Sequence, residues 1–279
     1  MQTIDSLERL RTARAGLGGT LALVPTMGAL HEGHLTLVRE ARKRADAVAV
    51  SIFVNPRQFG ANEDLDAYPR RLARDAALLE AEGVDLVWAP TAAAMYPPGY
   101  ATNVSVEGVS EGLCGAARPG HFDGVATVVC KLFNQVEADV ALFGEKDWQQ
   151  LAVIRRMARD LDLPRPREIV GVPTVREADG LALSSRNAYL SPDDRARAAA
   201  LPAAMRETIA EIEGGAAVPE ALAALTAELL SAGFASVDYA ELRDAETLAA
   251  LSARPSAPAR LLVAARIGGT RLIDNMGLG

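Results

Sequence analysis

The chain of 279 residues has little cysteine and no long apolar run. Its two cysteines, Cys114 and Cys130, form neither a CxxC pair nor a disulfide framework, which indicates reduced thiols. No apolar stretch approaches the roughly 18 residues that a membrane span needs. The opening residues, MQTIDSLERLRTARAG, lack the apolar core of a secretory signal. We therefore expect a cytoplasmic protein without a membrane segment.

Positive charge is also scarce, because 29 lysines and arginines face 36 acidic residues and the net charge is −7. Proteins that bind nucleic acid usually carry a basic face, so this balance argues against a nucleic-acid partner. The basic cluster from Arg39 to Arg44 falls late in a predicted helix, where positive charge suits the helix dipole. Only three lysines occur, namely Lys43, Lys131 and Lys146.

Hydrophobic periodicity divides the chain into two regions. Residues 1–172 predict repeated strand–helix units, with strands over 20–24, 47–54, 84–88, 140–143 and 168–172, and helices over 4–15, 33–45, 69–82, 124–136 and 147–161. Residues 96–119 are rich in glycine and proline and predict irregular backbone. Alternating strands and helices predict an α/β, Rossmann-like domain whose mostly parallel sheet is flanked by helices.

The pattern changes from residue 173 onward. Two alanine-rich helices are predicted over 194–213 and 219–232, followed by a strand over 236–242. A hairpin over 260–267 and 270–275 surrounds Gly268-Gly269, a typical two-residue turn. We therefore expect a second, smaller α+β domain over residues 173–279.

The segment PTMGALHEGHL, residues 25–35, is the strongest functional signal because it joins a buried strand to a helix. Its glycines, Gly28 and Gly33, let the backbone approach a phosphate, and the helix start offers unpaired N–H groups. His31 and His34 can donate hydrogen bonds to phosphate oxygens. They can equally be helix-capping imidazoles. A zinc site is disfavoured because Glu32 is the only further ligand nearby.

Polar side chains also follow two other predicted strands. Gln58 follows the strand over 47–54 and can offer a donor and an acceptor to a small polar substrate. Lys146 and Asp147 follow the strand over 140–143, where the lysine suits a phosphate and the aspartate suits a helix cap or a ribose hydroxyl. Since ligands bind at the carboxyl ends of parallel strands, we expect these groups to share one crevice.

Two turns supply further donors. Arg118 and His121 lie in RPGHFDG, and Arg186 follows two hydroxyls in LSSRN. Taken alone, each turn is equally explained as a helix cap or a surface loop. Together with the strand ends they predict a nucleotide site better than separate turns do.

Six motifs carry a family resemblance: PTMGALHEGHL, VNPRQF, YPR, RPGHFDGVATVV, FGEKDWQQL and LALSSRN. Their order and spacing resemble the pantoate–β-alanine ligases of the HIGH-motif nucleotidyltransferase superfamily. The resemblance implies an ATP- and Mg²⁺-dependent homodimeric enzyme that condenses (R)-pantoate with β-alanine through a pantoyl adenylate and releases AMP and pyrophosphate. The alternatives are another nucleotidyltransferase-type enzyme, which the paired glutamines Gln58 and Gln150 disfavour, and a nucleotide-binding module without catalysis.

The resemblance also implies residue roles. Catalysis falls to His34, as a proton donor, with Lys146 and Arg186. ATP binding falls to Met27, Gly28, Ala29, Leu30, His31, Glu32, Gly33, His34, Gly144, Glu145, Lys146, Asp147, Val175, Leu183, Ser184, Ser185 and Arg186. Substrate binding (pantoate and β-alanine) falls to Gln58 and Gln150, with Asn55, Tyr68, Arg118 and His121 in support. Asp75 is the expected magnesium-side carboxylate, and the second domain is expected to close over the phosphates.

Overall fold

Two sheets organise the computed structural model, which describes residues 1–60, 65 and 68–278. The first sheet has six parallel strands in the order β1-β4-β3-β2-β5-β6. They are β1 (Gln2–Ile4), β2 (Leu21–Thr26), β3 (Ala47–Ile52), β4 (Leu86–Trp88), β5 (Val140–Gly144) and β6 (Glu168–Val172). The helices of this region are α1 (Leu7–Gly16), α2 (Glu32–Arg42), α3 (Leu72–Ala81), α4 (Ala92–Met95), α5 (Leu113–Ala117), α6 (His121–Val136) and α7 (Trp148–Asp160). The predicted Rossmann-like α/β architecture is confirmed.

The central strands are apolar throughout because helices cover both faces of the sheet. In β2, Leu21 and Leu23 belong to an apolar cluster with α6 and α7, whereas Ala22 and Val24 belong to a cluster with α2 and α3. Successive side chains of a strand point to opposite faces, so a strand with two covered faces reads as one continuous apolar run. This core fixes the strand ends that carry the polar turns.

The strand order reverses between β2 and β5. The chain proceeds from β2 to β3 and β4 on one side, then crosses to β5 and β6 on the other side of β2. Ligands bind in the crevice outside the carboxyl ends of strands at such a reversal. The topology therefore places the turn after β2 beside the turn after β5.

The remaining residues form a second, antiparallel sheet with helices of its own. Helices α8 (Pro192–Ala198), α9 (Ala200–Glu213) and α10 (Val218–Ser231) accompany the antiparallel strands β7 (Ser236–Asp244), β8 (Ala259–Ile267) and β9 (Thr270–Leu278). They share an apolar cluster of their own that runs from Leu181 to Leu278. The predicted Gly268-Gly269 turn is confirmed, and both glycines have positive φ angles of 54° and 76°. The boundary at 172/173 stays a prediction.

Several element bounds differ from the sequence predictions. Strand β1 was not predicted, because it has three residues of which only Ile4 is buried, too few to produce a periodic pattern. The helix predicted from residue 194 is two helices that meet at Ala199, and α6 begins at His121 rather than at residue 124. The irregular stretch over 96–119 contains the short helix α5. Among the described residues, no helix is long and apolar enough to cross a bilayer.

Candidate functional site

A cleft of about 220 Å³ opens where the turns after β2, β3 and β5 meet. The loop over 173–186 forms its remaining side. Most of the predicted site residues line it, namely Met27, His31, Gly33, His34, Asn55, Gln58, Tyr68, Gly144, Lys146, Asp147, Gln150, Val175, Leu183, Ser184, Ser185 and Arg186. The structure therefore brings together four of the five segments that sequence reasoning placed around one crevice, and the turn of Arg118 and His121 is the exception.

The two imidazoles after β2 cap helix α2 and also line the cleft. His31 Nδ1 accepts the Gly33 N–H at 3.2 Å, and His34 Nδ1 accepts the His31 N–H at 3.4 Å. An imidazole that accepts at Nδ1 carries its proton on Nε2 when neutral. Helix capping and ligand binding are therefore compatible roles. Each histidine caps α2 through Nδ1 and keeps an Nε2–H that can donate to a ligand.

Both histidines are uncharged at neutral pH. Burial and the neighbouring His31 lower the pKa of His34 to about 3, and burial together with Lys146 lowers the pKa of His31. His34 can thus donate a hydrogen bond to a phosphate oxygen without first becoming an imidazolium. The described residues contain no group of three or more His, Cys, Asp or Glu side chains that could hold a metal ion.

Asp75 lies beneath the turn after β2 rather than in the cleft. Its carboxylate is 1% exposed and accepts the Ala29 N–H at 2.8 Å and the Leu30 N–H at 3.0 Å. Each oxygen therefore accepts one backbone N–H of the turn and keeps acceptor capacity of its own. These contacts fix the turn that leads to His31, and the magnesium-side role of Asp75 stays a prediction.

Five of the residues expected at ATP do not line the cleft, namely Gly28, Ala29, Leu30, Glu32 and Glu145. Leu30 packs in the apolar cluster beneath α2, and Glu32 is exposed and paired with Arg39. Glu145 pairs with Arg260 at 3.2 Å. The motif spacing groups these residues with those that line the cleft, but side chains next to one another in a turn point in different directions.

Gln58 is oriented by a buried amide network. Its Oε1 accepts from Asn55 Nδ2 at 3.1 Å, and its Nε2 lies 2.9 Å from Met27 Sδ. Asn55 is 1% exposed and also donates to the carbonyl of Gly124 at 3.0 Å. A Cβ at Gly124 would collide with the carbonyl of Arg57, so glycine permits this close approach. The network holds Gln58 at the cleft wall.

Arg118 and His121 lie behind Gln58 and do not line the cleft. His121 Nδ1 donates to the Gln58 carbonyl at 2.8 Å, and Arg118 donates to the same carbonyl at 3.3 Å. Arg118 also donates to His121 Nε2 at 2.9 Å. These contacts hold the turn that carries Gln58, and the supporting role of Arg118 and His121 in substrate binding stays a prediction.

Opposite charges face the cleft after β5. Lys146 Nζ lies 3.5 Å from Asp147 Oδ2, with 19% and 44% of the two side chains exposed. Desolvation raises the pKa of Asp147, but Lys146 and Arg186 outweigh it and hold the pKa below its usual value. Asp147 is therefore an ionised carboxylate within reach of solvent or a ligand.

The loop over 175–186 is folded back on itself. The Leu183 N–H donates to the Val175 carbonyl at 2.9 Å, which explains why both residues line the same wall. Ser184 Oγ accepts the Arg186 N–H at 3.2 Å, and Ser185 Oγ lies 3.5 Å from the Tyr68 hydroxyl. These contacts place the hydroxyls and the guanidinium of LSSRN beside the cleft.

The adjacent glutamines of α7 have different surroundings. Gln150 lines the cleft. Gln149 is 4% exposed; its Oε1 accepts the Cys114 N–H at 3.0 Å, and its Nε2 donates to the carbonyls of Val109 and Glu111 at 3.2 and 3.1 Å. Gln149 thus holds the segment over 109–114 against α7 through these hydrogen bonds.

Two residues of the C-terminal sheet hold the Lys146 turn and were not found from the sequence. Asn275 on β9 is 2% exposed, and its Nδ2 donates to the carbonyls of Glu145 and Lys146, each at 2.9 Å. Arg260 on β8 lies 3.5 Å from the centre of the Trp148 ring. These contacts join residues more than a hundred positions apart, and no local motif marks them.

Comparisons with known proteins match this chain along nearly its whole length. A family model described as pantoate-beta-alanine ligase matches residues 1–277. The chain belongs to the pantoate–beta-alanine ligase family. Over 284 residues it is 73% identical to the pantothenate synthetase of Novosphingobium aromaticivorans, covering 100% of this chain and 99% of that protein. It is 60% identical over 279 residues to that of Sphingopyxis alaskensis, with coverage of 100% and 99%.

Solved structures of the pantoate–beta-alanine ligase family superpose along the whole chain. Pantothenate synthetase from Thermus thermophilus matches with a TM-score of 0.93 at 50% identity, covering 99% of each chain. The ligase from Francisella tularensis, complexed with beta-gamma ATP and beta-alanine, matches with a TM-score of 0.81 at 33% identity, covering 99% of this chain and 97% of that one. The family and fold predicted from the six motifs are confirmed.

Proposed function

We propose that this family member condenses (R)-pantoate with β-alanine at the expense of ATP, forming pantothenate, AMP and pyrophosphate through a pantoyl adenylate. One observation carries the proposal. A single cleft combines the hydrogen-bond donors and cations that suit phosphates, His31, His34 and Lys146, with the amides Gln58 and Gln150 that suit a small hydroxy acid. The Francisella tularensis relative, complexed with beta-gamma ATP and beta-alanine, supports the choice of ligands.

In the proposed first step, a carboxylate oxygen of pantoate attacks the α-phosphorus of ATP and pyrophosphate leaves. The work of the protein is positioning and stabilisation of charge. Gln58, already oriented by Asn55, would hold the acid together with Gln150. The Nε2–H groups of His31 and His34 and the ammonium of Lys146 would donate to phosphate oxygens as their charge grows.

In the proposed second step, the amine of β-alanine attacks the activated carbonyl carbon. The new C–N bond forms, the C–O bond to AMP breaks and the amine releases one proton. The acyl adenylate must be kept from water. We propose that residues 173–279 are a separate smaller domain that encloses it, supported by the apolar cluster of their own and by the position of Ser184 and Ser185 on the cleft wall.

Magnesium is a further part of the proposal. Mg²⁺ commonly binds one or two protein carboxylates together with substrate phosphates. Asp147 fits this requirement, because it is ionised and 44% exposed in the cleft, and Asp75, implied by the family resemblance, is a second candidate beneath the turn after β2. Asp147 would hold the ion, which would neutralise phosphate charge when bound.

We also propose the cytoplasmic location and the homodimer that the family resemblance implies. Sedimentation velocity tests the homodimer. The proposal expects a species of twice the 29.4 kDa chain mass. A single 29.4 kDa species at micromolar concentration would contradict it.

ATP–pyrophosphate exchange without β-alanine tests the proposed reaction. The proposal expects exchange of labelled pyrophosphate into ATP only when pantoate is present, because the adenylate must form before it can be reversed. Exchange that ignores pantoate would favour another nucleotidyltransferase activity. No exchange, with ATP still bound, would favour a non-catalytic nucleotide module. Gln58→Ala serves as the matched variant, since it should raise the KM for pantoate without abolishing ATP binding.

A further inference from the structure

A second cavity of about 250 Å³ adjoins the cleft and shares Lys146, Asp147, Ser184 and Arg186 with it. We propose that this cavity receives the pyrophosphate released by adenylate formation, so that Arg266 and Arg271 on the β8–β9 hairpin form a product site. The inference rests on the proposed function. It assigns a binding site to the leaving group, whereas the family motifs imply residues only for ATP, pantoate and β-alanine.

The position of the cavity relative to the cleft supports this assignment. Gln58 and Gln150, the proposed acid ligands, line the cleft but not the second cavity. Lys146, Ser184 and Arg186, the proposed phosphate ligands, line both. The acid therefore lies on the side away from the cavity, and the phosphates lie at its mouth. In an in-line displacement the leaving group departs opposite the attacking oxygen, which is toward the second cavity.

The charge of the lining also suits an anion. Its five cationic residues are Arg118, Lys146, Arg186, Arg266 and Arg271, and its two acidic residues are Asp147 and Asp274. Asp274 is fully buried and bonds Arg176, which is outside the lining, at 2.6 and 2.9 Å. Asp147 faces Lys146 at 3.5 Å. Each carboxylate thus has a cation beside it, and cationic residues outnumber acidic ones in this lining by five to two.

The β8–β9 hairpin contributes positive charge that the cleft lacks, because Arg266 and Arg271 line only the second cavity. Arg266 lies 3.4 Å and Arg271 lies 2.7 Å from the carboxylate of Asp238, so two guanidinium groups share one acid. Thr270, which is 6% exposed, adds a hydroxyl to the same lining. Guanidinium and hydroxyl groups are suited to phosphate oxygens. Moving pyrophosphate toward them would vacate the space that the β-alanine amine must enter.

The test measures the KM for pyrophosphate in the pantoate-dependent exchange reaction. Arg266→Gln removes one charge from a side chain that is 48% exposed, so the fold should tolerate it. We expect the KM for pyrophosphate to rise at least fivefold while the KM values for ATP and pantoate stay within twofold. Arg271→Lys keeps the charge but loses the paired donors, and a rise of about threefold is expected.

Arg254→Gln is the matched control, because Arg254 is an exposed arginine of the same region outside both cavities. An unchanged KM for pyrophosphate in both hairpin variants would overturn the inference, as would an equal rise in the control. If the wild-type protein shows no pantoate-dependent exchange, the proposed function fails separately. Calorimetric titration with pyrophosphate then decides, since weaker binding to Arg266→Gln than to the control supports the site and equal binding overturns it.

Discussion

Two turns meet in the cleft from neighbouring strands, and they are held in place in different ways. The turn after β2 is fixed from within the parallel-sheet region: His31 accepts the Gly33 N–H, His34 accepts the His31 N–H, and Asp75 binds the amides of Ala29 and Leu30. The turn after β5 is fixed from outside that region, since Asn275 binds the carbonyls of Glu145 and Lys146. The cleft therefore joins one self-supporting turn and one that depends on the C-terminal sheet.

The difference has a consequence for motion. We expect a displacement of the β8–β9 hairpin to reach Lys146 through Asn275 and through Arg260, which lies against Trp148. The histidine turn has no such tie through its caps. If residues 173–279 close over the nucleotide, Lys146 should move with them, whereas His31 and His34 should stay with the parallel sheet.

The largest expected effect comes from removing the positive charge of Lys146, on the turn after β5. Lys146→Ala should lower the rate of pantoate-dependent ATP–pyrophosphate exchange by about 10²-fold or more, because the growing phosphate charge loses a cation. His34→Ala should lower it to a similar order by removing a neutral donor. The control is Lys43→Ala, since Lys43 is 68% exposed and follows the C-terminal end of α2. Near-normal exchange in both variants would remove them from the catalytic set.

A smaller effect on the exchange rate should follow from weakening the contacts that hold the turn after β5, with Lys146 itself unchanged. Asn275→Asp keeps the shape of the side chain but sets carboxylate oxygens against two carbonyls, and we expect exchange to fall about tenfold with a raised KM for ATP. Asn134→Asp is the control, because it makes the same change at an exposed asparagine of α6 that lines neither cavity. Equal losses in the two variants at matched thermal stability would show that Asn275 has no positioning role.

A separate effect, on stability rather than on the exchange rate, concerns pH and the turn after β2. The pKa of His34 is about 3 in the folded chain and about 6.5 when unfolded. Below pH 6.5 the unfolded chain binds a proton that the folded chain does not, so the free energy of unfolding falls as pH falls. Between pH 6.5 and 5 this amounts to about 2 kcal/mol. Urea unfolding of His34→Gln should lack this part of the loss; an unchanged pH dependence would contradict the low pKa.

The same contrast explains what the sequence could predict. The histidine turn was foreseen because its caps lie within three residues of one another, and the strand ends were foreseen because buried parallel strands leave continuous apolar runs. The position of Asp75 could not be foreseen, because the sequence does not reveal that its carboxylate binds the amides of Ala29 and Leu30, about 45 positions away. Asn275 lies still farther from its partners, and only the folded chain brings them together.

Residues adjacent in the sequence were also difficult to tell apart by role. Gln149 and Gln150 have the same chemistry and differ by one position, yet the phase of α7 turns the first toward the segment over 109–114 and the second toward the cleft. The resemblance to the family placed Gln150 at the substrate, while nothing in the sequence indicated the structural role of Gln149. Substituting Gln149 should therefore affect stability more than the KM for pantoate.

The most direct measurement of the central claim follows the oxygen that would link the acid to the nucleotide. Pantoate labelled with ¹⁸O in its carboxylate is converted in the presence of ATP and β-alanine, and the nucleotide product is analysed by mass spectrometry. Attack of the carboxylate on the α-phosphorus predicts AMP that carries one ¹⁸O in its phosphoryl group, with the other label in the pantothenate amide. Unlabelled AMP, or label recovered in inorganic phosphate, would contradict the account.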